Sequence, residues 1–491
     1  MSYSYTENGA IQYENSGNAI VDFFSNAAAL RGQLIQNDFE ALRTLFINSF
    51  NKAPHITVML GLGWLGDPRH GAGEKAARRY LQTLMADVNP EFIIDNLYNI
   101  EEYGSWKDLI HLYYATDNKY VKAAILHNFC EAIRLNHRLA AKWAPRLKSK
   151  YHSMALAMRD NLGLTNKEYR TLLKNVSETV EQQMCAGDWE NIDFSKVPSV
   201  AGKKYVQSFI RHQSERFTEF MLNKDTKVNA SVLYPHDILS KLLINGISYS
   251  VGGGLNESEM AYLEKAWANL PDYLSEDENI LTLVDISSSM YKTSLDSSGT
   301  KPVHVAISLG IYLANRAKGS FHNKLMMFAE EPAFVHLTQG ASLKENIQQI
   351  IEQQVGFSTN FEKAYKRILE AAILMSTPKK DMPTMLLVPS DMQFDPNKWN
   401  MPAFDAIQAE YTKAGYDAPK LVFWNLDKRN LNGSPAQAND TGVALVSGFS
   451  PSILTAVLNA QEFSPLDIAL EKAAEYDNFD HTNLDTHVEF K

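Results

Sequence analysis

The chain has 491 residues, 45% of them hydrophobic, and a formal net charge of −10. That length predicts two to four domains with large cores, and two cysteines, Cys130 and Cys185, are too few for a disulfide framework or a cysteine zinc site. No basic-then-apolar leader follows Met1 and no run of about 18 apolar residues occurs, so a cytoplasmic protein with no membrane partner is expected.

The charge is uneven. Residues 1–274 carry 29 Lys+Arg against 30 Asp+Glu, while residues 275–491 carry 18 against 27. Within the first part, residues 119–174 hold 12 basic groups and 3 acidic ones. A basic stretch inside a neutral domain is the footprint expected of a face that binds a polyanion.

In chain order, residues 1–25 are rich in Ser, Tyr, Asn and Gly and are expected to form a flexible N-terminal tail. From 26 to about 245 the pattern is helical. Phe39, Leu42, Leu45, Phe46 and Phe50 recur at helical spacing, as do Ala76, Tyr80, Leu81 and Leu84, and similar segments run on to residue 222. Many helices with short connections predict an α-solenoid or bundle over 26–274. Cys130 and Cys185 are expected to be small buried residues there. A glycine run at 251–255 and an acidic run at 275–279 mark the connection between halves. From Ile280 strands alternate with helices: strands at 280–285, 325–328, 333–337, 384–390, 420–425 and 442–446, with helices at 302–318, 342–354, 360–375, 402–414 and 451–460. Such alternation makes a doubly wound α/β sheet over 275–460. Residues 461–491 are expected to be a C-terminal helix and a polar tail.

The stretch Leu281-Thr-Leu-Val-Asp285-Ile-Ser287-Ser-Ser289 is an apolar strand that ends in one carboxylate and two hydroxyls at alternate positions. All three are hard oxygen ligands of the kind Mg²⁺ prefers, and ligands of open α/β sheets bind beyond the carboxyl ends of the strands. Downstream, Thr359 precedes a helix, and Asp391 ends the apolar run 385–390. Asp395, four residues further, is the rival third-loop carboxylate, while Ser358 and Asn360 are candidates for supporting hydrogen bonds. The plainer reading is a serine-rich turn that caps the next helix. The series Asp-x-Ser-x-Ser, Thr, Asp resembles the metal-ion-dependent adhesion site of von Willebrand factor A (vWA) domains. That resemblance implies a site for Mg²⁺, or for Mn²⁺ or Ca²⁺, made by Asp285, Ser287, Ser289, Thr359 and Asp391.

Two other features need weighing. Gly61-Leu-Gly63-Trp-Leu-Gly66 matches the dinucleotide-binding spacing, but no βαβ unit surrounds it, so a loop between helices is expected. Lys142, Arg146, Lys148, Lys150, Arg159, Lys167, Arg170 and Lys174 are candidate RNA-binding residues, interleaved with Trp143, Tyr151, His152 and Tyr169. The same pattern also describes the wet faces of ordinary helices.

A helical repeat domain before a vWA domain resembles the Ro autoantigen, or TROVE-module, architecture. The chain is similar, more closely, to a related uncharacterised family with the same two parts. The stretches that carry the resemblance include Tyr103-Gly-Ser-Trp-Lys-Asp-Leu109, Lys142-Trp-Ala-Pro-Arg146, Met184-Cys-Ala-Gly-Asp-Trp-Glu190 and Val446-Ser-Gly-Phe-Ser450. It implies a HEAT-like all-α repeat domain and a Rossmann-like vWA domain that close into a ring, and single-stranded or structured RNA as partner. The expectation is therefore a non-enzymatic RNA-binding protein with a metal-binding vWA module. The alternative is a scaffold, cellular or associated with a viral particle, that docks an acidic protein partner at the metal site without RNA. A metal-dependent nuclease is the remaining enzyme reading; no second metal site or general base is visible for it.

Overall fold

The computed structural model describes residues 3–6, 9, 11–243, 251–274, 279–295, 299–329, 331–353, 361–393, 401–427, 433–459 and 463–490, without the side chains of 401–405 and 459. Between residues 19 and 268 the described regular structure is helical, and from Ile280 onward strands alternate with helices.

The helices form where an apolar stripe coincides with a start signal. Lys119–Arg134 buries Val121, Ile125, Phe129, Cys130 and Ile133, and Asn118 caps it by accepting from the Tyr120 and Val121 amides. Asn136, at φ 60°, ends it in the left-handed region that Asn tolerates. Ser105 and Asp108 make a capping box at the start of Trp106–Ala115. Cys130 is buried as expected, but Cys185 is exposed at the end of a short helix that buries none of its residues.

A small hairpin of β1 (Tyr3–Tyr5) and β2 (Ile11–Tyr13) stands apart from the main sheet. The main sheet holds β3 (Ile280–Val284), β4 (Lys324–Met327), β5 (Ala333–His336), β6 (Met385–Ser390), β7 (Lys420–Asn425) and β8 (Val443–Ser447), in the order β5-β4-β3-β6-β7-β8. All neighbours are parallel except the edge pair β4–β5. The chain leaves β3 toward β4 and β5, then returns on the other side of β3 to lay down β6. Between β3 and β6 the winding reverses, and the crevice beyond their carboxyl ends is where such sheets bind ligands.

Side chains alternate across the sheet. Ile280, Val284, Leu387, Val422, Trp424 and Val446 share one core with the helical half, and Leu281, Leu283, Leu386, Val388, Phe423 and Leu445 pack on helices Phe361–Leu374 and Met401–Lys413. Helix Pro302–Ala314 is buried along its whole length because it lies between β3 and helix Pro235–Leu242 of the helical half. Gly310 lets it approach β3: a Cβ there would sit 2.6 Å from Val284 Cγ2.

The expected C-terminal helix is present at Pro465–Ala474, but the two segments expected to be loose, before residue 26 and after that helix, are docked. The described part of 1–25 is docked rather than free. Tyr13 and Ser434 exchange backbone hydrogen bonds, the Ala438 amide donates to Ser16 O, and helix Ala19–Asn26 lies along β8, where Ser447 Oγ donates to Phe24 O at 2.9 Å. Its apolar residues Val21, Phe23 and Phe24 are fully buried, which a free tail could not achieve. Conversely, the segment after helix Pro465–Ala474 crosses to the helical half and buries Tyr476, Phe479 and Leu484. The stretch expected as a loop at 61–66 is instead a π turn, Met59–Gly63, followed by a 3₁₀ turn, Trp64–Gly66, both buried. A Cβ on Gly63 would lie 2.7 Å from the Tyr476 ring, so its glycine serves packing, and no dinucleotide cradle forms.

Candidate functional site

At the crevice between β3 and β6, Asp285 is the residue after β3 and Asp391 the residue after β6. Both are buried, at 3% and 1% exposure. The sheet register pairs Ile280 with Met385 and therefore sets Asp285 opposite Ser390. There Ser390 Oγ donates to Asp285 Oδ2 at 2.6 Å, while Asp285 Oδ1 accepts the Ser287 amide at 2.9 Å. The Ser390 hydroxyl also accepts the amide of Met392, whose φ of 60° turns the chain sharply past Asp391. One hydroxyl thus ties the two acidic loops together. Sequence reasoning missed Ser390, because its role depends on strand register.

Ser287 Oγ and Ser289 Oγ lie 3.1 Å apart in the first loop. Oxygens bound side by side on an octahedral Mg²⁺ at 2.0–2.1 Å would be about 2.9 Å apart, so the pair suits a small hard cation. Among the described residues no group of three His, Cys, Asp or Glu is placed to hold a metal. A cation here would rely on the Asp285 and Asp391 carboxylates and the serine hydroxyls, and that oxygen-only set fits Mg²⁺ chemistry. Thr359, its neighbours Ser358 and Asn360, and the rival Asp395 lie outside the described residues. At the end of β7, Asp427 accepts from Thr293 Oγ1 at 2.6 Å and brings a further carboxylate to the same rim.

The eight basic candidates separate into two groups. Arg146, Lys148, Arg170 and Lys174 line one groove of about 560 Å³, with His152, Leu147, Leu156, Asn166 and Gln182. Its walls are helices His152–Asn161 and Asn166–Ser177 and the turn between Ala144 and Tyr151. Arg170 and Lys174 stand four apart on one helix face. The turn is held by Tyr169, whose hydroxyl donates to Pro145 O at 3.0 Å, and by His152 Nδ1, 2.5 Å from Leu147 O. Among the described residues no carboxylate lines this groove. Burial lowers the Arg146 pKa, though arginine stays cationic, and its Nη1 is out of reach of solvent and finds no hydrogen-bond partner among the described residues. A buried donor without an acceptor is costly unless a ligand supplies one.

The other four are engaged or apart. Lys142 pairs with Glu181 at 3.5 Å, Arg159 pairs with Asp160 at 2.6 Å and donates to Asn166 Oδ1, and Lys150 sits over the Tyr151 ring. Lys167 is exposed but is not part of the groove. Of the four interleaved aromatics only His152 lines it. Tyr169 is buried, Trp143 lies under Lys107, and Tyr151 packs against Tyr114.

A domain of unknown function, DUF2828, matches residues 158–280, and another, DUF7788, matches residues 279–488. The two matched stretches meet where β3 begins. The chain is similar to an uncharacterised viral protein over nearly its whole length. That protein, from Acanthamoeba polyphaga mimivirus, is 29% identical over 531 residues, covering 96% of this chain and 87% of its own. Among solved structures, the Ro (RSR) protein of Deinococcus radiodurans aligns with 94% of this chain and 100% of its own, at 13% identity and a TM-score of 0.41.

Proposed function

We propose that the protein is a non-enzymatic RNA-binding protein whose α/β half carries a divalent cation. The groove of Arg146, Lys148, Arg170 and Lys174 takes the phosphates of a single-stranded or irregular RNA. The observation that carries this reading is four cations converging on a groove with no carboxylate among the described residues of its lining. In an ordinary solvated helix face, neighbouring acids neutralise such groups, as they do at Lys142 and Arg159. Leu147 and Leu156 supply apolar surface for a base between the phosphate contacts.

In the α/β half, Asp285 and Asp391 would supply negative charge to Mg²⁺, and the hydroxyls of Ser287, Ser289 and Thr359 would coordinate it. A cation with few protein carboxylates keeps net positive charge and favours an acidic group in its open position. We place the protein in the cytoplasm.

The test is the nucleic acid carried by protein purified from its native source, compared for two charge variants. Arg146, Lys148, Arg170 and Lys174 all changed to Gln should remove it. Lys142, Lys150, Arg159 and Lys167 all changed to Gln should leave it in place. Protein that emerges free of RNA, or two variants that behave alike, would refute the proposal. The reading that gains from that failure is a scaffold docking an acidic group at the cation, since the net negative charge of residues 275–491 disfavours a polyanion such as RNA on that half.

A further inference from the structure

The stretch from Glu475 to Phe490 has neither helix nor strand, yet the helical half grips it at every turn. Three buried asparagines do most of this, and they address main chain rather than side chains. Asn96 donates from Nδ2 to Asp480 O and accepts on Oδ1 from the Asp480 amide, both at 2.8 Å, as a neighbouring β-strand would. Asn99 Nδ2 donates to Asn478 O at 3.0 Å. With its amide turned to satisfy both ends, Asn89 donates to Asn483 O at 3.1 Å and accepts from the Asp485 amide at 2.7 Å. All three are at most 5% exposed. Asn89 and Asn96 occupy the junctions that flank helix Pro90–Asp95. The rungs run in reverse: as the asparagine number rises from 89 to 99, the residue read falls from 485 to 478.

Side chains add selectivity between the rungs. Tyr476 donates to Asp67 Oδ2 at 3.1 Å and packs on Tyr103. Phe479 stacks with Phe92 and Tyr103, His481 meets His55, and the Phe490 ring packs against Phe46 and Phe50. Arg43 donates to Phe490 O.

A buried asparagine that pairs with both the N–H and the C=O of one residue is how a surface binds an irregular peptide whose backbone groups would otherwise go unpaired. The apolar residues Tyr476, Phe479 and Leu484 enter the core of the helical half, so both the side chains and the backbone of the segment are held by residues outside it. The geometry points to a peptide-binding groove built by residues 43–103, with the chain's own segment 476–490 as its resident ligand and the same segment of a second copy as its exchange partner. Each copy carries both the groove and the peptide that fits it, so the exchange is reciprocal and closes as a pair. The inference does not depend on RNA or on a metal.

The test keeps the full chain. A site-specific protease sequence placed between residues 474 and 475 lets the folded protein be cut after it has formed. A fluorescent peptide spanning residues 476–490 is then added. It should replace the cut segment, travel with the protein through gel filtration, and be displaced by unlabelled peptide but not by a scrambled one. A peptide N-methylated at residue 480 lacks the N–H that Asn96 accepts and should compete at least about tenfold less well. Uncut protein held at high concentration should yield a species of twice the chain mass that excess free peptide dissolves. A cut segment that never leaves, a scrambled peptide that enters equally, or an N-methylated peptide that competes fully would overturn the groove. Exchange of free peptide with no paired species would overturn the second copy as partner.

Discussion

Replacing Arg170 with Gln removes one of four groove cations without touching the core, since the side chain is exposed and donates to Asn166 O on its own helix. On a single strand each phosphate neutralised contributes about 0.7 to the slope of log affinity against log salt. Four contacts give a slope of about −2.8, so raising salt from about 50 to about 200 mM should weaken binding about 50-fold. The variant should show a slope of about −2.1 and a loss of about 18-fold over the same interval. Lys142→Gln, whose ammonium already faces Glu181, should keep the wild-type slope. Fluorescence anisotropy of a labelled single-stranded RNA at three salt concentrations measures all of this. If both variants change the slope equally, or if wild-type binding ignores salt, the groove is not where phosphates sit.

Three other outcomes are expected. Ser390→Ala should weaken Mg²⁺ binding about 10- to 100-fold by freeing the Asp285 carboxylate; titration calorimetry measures this, and an unchanged affinity would remove Asp285 from the site. Glu101 is pushed up to about 7, first by burial and then by Glu102. Its folded pKa lies above the ordinary value of 4.5, so its share of stability is full below that value and fades as pH rises through about 7. Glu101→Gln should therefore raise the urea midpoint relative to wild type at pH 8 and lose that advantage at pH 5, whereas an equal shift at both would contradict the assignment. Gly310→Ala should cost about 1–3 kcal/mol by driving a methyl into Val284, read as a lower thermal midpoint; an unchanged midpoint would mean that the helix shifts freely on β3.

The two-part organisation was legible because each part has a strong local period, helical before residue 270 and strand-like in the runs from Ile280. Asp285 and Asp391 were legible for the same reason: an apolar run that stops at a carboxylate marks a strand end. Ser390 was not, since only the register of β3 on β6 makes it the partner of Asp285. Nor could composition sort the eight basic residues. Which of them share a groove depends on the turn that Tyr169 and His152 hold, and which are neutralised depends on where Glu181 falls in space. The docking of the N-terminal segment and of the stretch after helix Pro465–Ala474 was not legible because their partners are hundreds of residues away. Asn96 and Asp480 are 384 apart, and no local pattern announces that pairing.

The crossed ends also set a timetable. Helix Ala19–Asn26 leaves the ribosome early, but its anchor at Ser447 lies 423 residues later than Phe24. At about 5–20 residues per second, Val21 waits about 20–85 seconds for the β8 residues Val443 and Leu445 whose core it shares, whereas Phe23 and Phe24 meet Phe46 and Trp64 much sooner. The segment 476–490 has no such delay, because its binding surface on the helical half is already made when it emerges. The two closures therefore follow in quick succession, one by each segment on the opposite half. A cut at the junction near residue 275 would leave the helical half without its bound segment and the sheet without the helix along β8.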